Sequence, residues 1–125
     1  MAVPKPHDGP TADRDRDWDW SEREAEKVDA LLDHGGWKAV KEAHAWYDDS
    51  DGDPPEKRAA YKLPHHEVIG GRVQVVWRGV TRAMNVLSGG RGGVRIPGKE
   101  KRAVYDHLAR HYQQFGEEPP DPPSR

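Results

Sequence analysis

The chain has no cysteine, one phenylalanine and two methionines among its 125 residues. The missing thiols remove disulfides, thiolate metal sites, iron–sulfur clusters and cysteine nucleophiles together, so only histidine and carboxylates remain as transition-metal ligands. No stretch approaches the roughly 18 consecutive apolar residues of a membrane span. The opening MAVPKPHDGP lacks the basic region and apolar run of a secretory signal, and a soluble protein that stays inside the cell is expected. Hydrophobic residues are scarce at 34%, matched by 34% charged residues, and mean hydropathy is -1.07. This composition is near the limit at which burial can offset the entropy of ordering a chain. One modest domain with tails is the reading that fits.

What is present is unevenly spread. Residues 1–60 hold 16 acids and 9 bases, residues 61–116 hold 3 acids and 10 bases, and residues 117–125 hold 3 acids and 1 base, giving -7, +7 and -2. Such a chain either folds its acidic half on its basic half or offers one half to a partner of opposite charge.

The pattern implies an α+β fold, mostly helical, with an N-terminal helical hairpin, a small β-hairpin, two further helices and disordered tails. Residues 1–17, with three prolines and the run Asp13-Arg14-Asp15-Arg16-Asp17, read as a mobile arm. Ser21 and Glu24 have the spacing of a capping box, and Ala25, Val28, Leu31 and Leu32 follow at helical spacing up to Gly35-Gly36. A first helix over about 21–34 results. Trp37, Val40, Ala43, His44 and Tyr47 share one sector of a helical wheel, which predicts a second helix through Tyr47. The acidic loop 48–56 with Pro54-Pro55 ends it. Two extended runs flank Gly70-Gly71 as a hairpin over about 61–77. Helical periodicity returns from Trp77 to Leu87, with Gly79 a weak point. A last helix at about 99–115 carries the stripe Val104, Leu108, His111, Tyr112 and Phe115. The globular domain is then 18–116, and the proline-rich 117–125 is an extended tail.

Candidate chemistry is thin. His107 and His111 stand four apart and could face one ion, with His65-His66 as a source of a third ligand. Against this, no HExxH pattern is present, adjacent strand residues point to opposite faces, and His111 belongs to the apolar stripe, so no metal and no cofactor are expected. Asp49, Asp51 and Asp53 alternate like calcium ligands, but an EF-hand counted from Asp49 meets Pro54 where glycine is needed and Ala60 where glutamate is needed. Gly89-Gly90-Arg91-Gly92-Gly93 lacks the GK[ST] ending of a phosphate-binding loop. No serine sits in a GxSxG elbow. No catalytic residues are assigned, and a non-enzyme is expected. Of the five tryptophans, Trp37 and Trp77 fall on core faces, while Trp46 falls opposite Val40 and Tyr47, either under the hairpin or as an exposed interface anchor.

Several segments, taken in order, carry a resemblance. They are Trp46-Tyr47-Asp48, Tyr61-Lys62-Leu63-Pro64-His65-His66, Arg78-Gly79-Val80 with Ala83-Met84, Gly90-Arg91-Gly92-Gly93-Val94-Arg95-Ile96-Pro97, His107-Leu108 with His111-Tyr112, and Glu118-Pro119-Pro120. Over about 18–120 the chain resembles a small module of tailed-bacteriophage and prophage head proteins, often an appendage C-terminal to the head-maturation (prohead) protease. The protease's own serine and histidine constellation is absent here. The resemblance implies a noncatalytic head-associated protein, in the virion or the host cytoplasm, that takes part in capsid assembly, decoration or docking and has capsid or other head proteins as partners, self-association included. Candidate partner-binding residues are Trp46, Tyr61, Lys62, His65, His66, Arg78, Arg91 and Arg95. The alternative is a nucleic-acid-binding protein that uses the basic 61–116 half.

Overall fold

The computed structural model describes residues 10–50, 52–89 and 96–121. The architecture is α+β: helix α1 (Glu24–Glu42), strands β1 (His44–Tyr47), β2 (Tyr61–Pro64), β3 (His66–Ile69) and β4 (Arg72–Val75), then helices α2 (Trp77–Leu87) and α3 (Lys101–Gln114). The strands form two separate antiparallel ribbons, β1 with β2 and β3 with β4. In the first, His44 faces Pro64, Trp46 faces Lys62 and Tyr47 faces Tyr61. In the second, His66 faces Val75 and Ile69 faces Arg72. Gly70 and Gly71, with φ of 59° and 81°, form its turn, a left-handed pair that side-chain-bearing residues adopt only with strain.

The β1–β2 ribbon sits between two apolar clusters. On one side Val28, Leu31 and Val40 of α1 meet Trp20, Tyr47 and Tyr61. On the other, Ala45, Trp46 and Leu63 meet Ala83, Met84 and Leu87 of α2 and Val104 and Leu108 of α3. The last-helix stripe is therefore as expected: Val104, Leu108 and His111 are fully buried, and Tyr112 packs edge-on against Trp77.

Four expectations require correction. The expected break at Gly35-Gly36 is present, since helical dihedrals lapse at those two residues, but the two N-terminal helical segments follow each other directly within α1 with no connecting loop between them. Gly36 takes φ 71°, which ends one helical segment while the next begins at once. The Ser21 capping box is absent: α1 starts after Arg23 with no side-chain cap, and Ser21 lies in a short 3-10 turn, Trp20–Glu22. The second helix stops at Glu42, because His44–Tyr47 pair with β2 and all four side chains are buried. That burial on both faces suits the aromatic Trp46 and Tyr47, residues at home on a pleated surface.

The fourth correction concerns the arm. Residues 10–17 are docked: Thr11 forms a parallel bridge to Val75, Ala12 N–H donates to the Val75 carbonyl at 2.8 Å, and Val75 N–H donates to the Pro10 carbonyl at 2.9 Å. The backbone thus covers part of the β4 edge, which would otherwise present unpaired groups. Arg16 Nε reaches Glu67 Oε2 at 2.8 Å, and the Arg14 guanidinium lies 4.9 Å from the Trp77 ring centre. The C-terminal tail is also held as far as Pro120, whose carbonyl accepts the Tyr105 hydroxyl at 2.5 Å. Residues 1–9 and 122–125, the remainder of both expected tails, lie outside the described residues.

Candidate functional site

At His65 the chain leaves one ribbon and enters the other. Its N–H donates to the Ala43 carbonyl at 2.9 Å and its carbonyl accepts from Val76 N–H at 3.0 Å, so its backbone is fixed from both sides. Two residues earlier Leu63 takes φ 62°, a left-handed conformation that a residue with a branched side chain adopts only when its surroundings hold it there. The regular alternation of side chains is lost across this joint. His65 and His66, expected to face opposite ways, have ring centres 4.4 Å apart.

Helix α3 brings the other two imidazoles. Residues four apart lie on one helix face, so His107 and His111 share an edge of the stripe that also buries Val104 and Leu108. Their rings are 5.3 Å apart, and those of His65 and His111 are 4.9 Å apart. His65 Nε2 lies 3.1 Å from His107 Nε2. One donor nitrogen each from His65, His107 and His111 falls within 4.8 Å of the others, and all three residues are buried. The reason for expecting no third ligand is therefore overturned, since the turn at Leu63 delivers His65 to the pair on α3.

The hydrogen bonds around the rings assign protons. His65 Nδ1 stands 3.1 Å from the Leu63 carbonyl, an acceptor only, so Nδ1 carries the hydrogen and Nε2 the lone pair. His111 Nδ1 is 2.5 Å from Gln114 Oε1, which places a hydrogen on Nδ1 there as well. Burial holds His65 well below the ordinary histidine pKa, helped by the neighbouring His66, His111 and His107; it is neutral. His65 thus directs a neutral nitrogen lone pair at His107, chemistry suited to sharing a proton or to holding a cation that prefers imidazole.

The remaining candidate residues are placed as follows. Trp46 is 8% exposed and donates Nε1–H to Glu100 Oε1 at 2.9 Å. Tyr61 is buried and donates its hydroxyl to the Pro55 carbonyl at 2.6 Å. With His65 and His66 these two build the core and are not available as exposed partner contacts. Lys62 is half-buried and Arg78 exposed, the latter 3.0 Å from Asp17. Arg91 and Arg95 lie outside the described residues.

Glu67, next to the cluster, escaped the sequence reading. It is 1% exposed and lies between Arg16 and Lys27, the latter also 3.0 Å from Asp19. A lone glutamate in a predicted strand gives no signal of two distant cationic partners. Among the described residues no helix is long and apolar enough to cross a membrane. No family model, curated protein or solved structure matches the chain.

Proposed function

We propose that this chain is a noncatalytic structural and interaction protein of a tailed-phage head, docking on an acidic surface of capsid or other head subunits. One observation carries the reading: among the described residues the aromatic and histidine positions of the resemblance, Trp46, Tyr47, Tyr61, His65, His66, His107 and His111, are buried, and the exposed charges of the same half are mostly basic. Helix α2 contains Arg78 and Arg82 and no acid. Arg72, Lys99, Arg102 and Arg110 are exposed in the same half, where Asp106 is an exposed acid paired with Arg102, whereas Glu67 is buried among cations and Glu100 accepts the Trp46 indole. A surface with an excess of one sign favours encounter with a complementary partner and sets its register.

The same basic surface supports the alternative, nucleic-acid binding, because phosphate contacts come from such side chains. Salt separates the two. Retention of head proteins from a phage lysate by the immobilised chain, together with loss of duplex DNA binding at about 150 mM salt, is the expected result. Submicromolar DNA binding at that salt, weakened by Arg78→Ala and Arg82→Ala, overturns the head-protein reading in favour of the alternative.

A further inference from the structure

We propose that His65, His107 and His111 form a binding site for one divalent transition metal of the zinc class, which joins the β2–β3 joint to α3. The inference stands apart from the docking reading above. It rests on three converging observations.

The first is convergence. Zinc–imidazole bonds of about 2.0–2.1 Å in a tetrahedron place ligand nitrogens about 3.3 Å apart. His65 Nε2 and His107 Nε2 are already 3.1 Å apart. The third nitrogen completes a set spanning no more than 4.8 Å, which side-chain rotation within the cluster can close.

The second is orientation by outer partners. Metal-bound histidines characteristically donate their other ring N–H to an oxygen, which fixes the tautomer and directs the lone pair. The Leu63 carbonyl does this for His65 and the Gln114 side chain for His111. In the metal-free chain His107 Nε2–H donates to the His65 Nε2 lone pair; when the cation takes the place of that hydrogen, the proton passes to His107 Nδ1 and the ligand stays neutral.

The third is selectivity. The ligand set is entirely imidazole, and the carboxylate next in sequence to His66, Glu67, is committed to Arg16 and Lys27. Nitrogen-only donors suit zinc, copper, nickel or cobalt and do not suit calcium or magnesium. Three neutral ligands leave the fourth position to water or hydroxide. His66, whose ring is 5.2 Å from that of His111, also walls a groove of about 340 Å³ with His34, Lys38 and Glu42.

The test uses the full chain, stripped with chelator and then given zinc or cobalt(II) alone. One zinc per chain retained through gel filtration is expected, with cobalt giving the strong visible absorption of a four-coordinate ion. His107→Gln and His111→Gln should abolish uptake, and Gln114→Ala should weaken it about tenfold or more, the usual effect of losing an outer-shell partner. If the histidine variants do not fold, imidazole-nitrogen NMR of the unaltered chain decides, because zinc must shift the Nε2 resonances of these three residues. Absence of stoichiometric uptake, a weak six-coordinate cobalt spectrum, uptake undiminished in folded histidine variants, or zinc shifts confined to other histidines would each overturn the proposal.

Discussion

Helix α3 faces two interiors that differ in kind. Val104 and Leu108 enter a hydrocarbon cluster with Ala83, Met84 and Leu87 of α2. His107 and His111, on the edge of the same stripe, enter a cluster of imidazoles with His65 and His66. The first interior is non-directional, held by burial and close packing. The second is directional, since each ring must have its proton on the correct nitrogen and its neighbours at the correct angle. Volume changes should damage the first, whereas protons and metal ions should act on the second.

The largest effect should come from the hydrocarbon side. Leu108 has no exposed surface, so Leu108→Ala should cost about 2–5 kcal/mol through lost burial and the cavity left behind. Chemical denaturation with and without added zinc measures it. An equal loss in both conditions keeps the two interiors independent; a loss that zinc restores would show that they are one unit.

Acid should discriminate in the opposite direction, through the buried histidines. His44, completely buried beside Trp20 and Tyr61, has its pKa lowered by burial from the ordinary 6.5 to about 4, although its bond to the Val40 carbonyl pulls the other way. His65 is displaced in the same direction. Between these values the unfolded chain binds the proton and the folded chain does not, so stability rises with pH there. His44 alone therefore contributes stability fully present above about pH 6.5 and lost as pH falls toward 4, about 3 kcal/mol in all. Denaturation midpoints of metal-free protein between pH 7 and pH 4 check this. A flat profile would mean that His44 is hydrated in the folded chain.

The unequal legibility of the sequence follows from the same contrast. Val104, Leu108 and the α2 series could be read because a hydrocarbon face repeats every turn and its partners need only be apolar. The histidine pair on α3 was equally visible in spacing, but its third member depends on the left-handed Leu63 and on a change of partner strand at His65, features with no periodic signature. Strand β1 has the sequence signature of a helix because Val40, Ala43, His44 and Tyr47 share one sector of a helical wheel. Only pairing with Tyr61–Pro64 makes it a strand. The docking of residues 10–12 is carried by backbone hydrogen bonds to Val75, which composition cannot reveal.

Glu67 offers a smaller test at the border of the imidazole side. It is buried, but its cations retain some solvent, with Arg16 39% and Lys27 16% exposed at the side chain. Glu67→Gln removes the charge and keeps the shape, so both cations lose a partner without being stranded in a dry interior. A cost of about 1–3 kcal/mol is expected, the range for losing one side of a buried polar interaction, and less than the 3–5 kcal/mol typical of breaking a wholly buried pair. Thermal melts at low and high salt measure it. A loss as large as that of Leu108→Ala would show that the ion-paired border and the hydrocarbon cluster matter equally.

The smallest effect should be at Arg14, where the chain's first described segment meets its last helix. Its guanidinium lies over Trp77 and pairs with Glu117, with side chains 47% and 38% exposed. An exposed ion pair is usually worth less than 1 kcal/mol because water screens it and two long side chains must be held still. A cation over an exposed aromatic ring adds about 0.5–1 kcal/mol. The two share one guanidinium and are not additive, so Arg14→Ala should cost at most about 1 kcal/mol. The parallel bridge at Thr11 should persist, because it is made by backbone atoms and needs no side chain of Arg14. Amide exchange at Ala12 and Val75 tests that separation. Protection unchanged in Arg14→Ala places the hold of the arm in its hydrogen bonds to β4, whereas protection lost at both amides would make Arg14 the clasp and the backbone bridge its consequence.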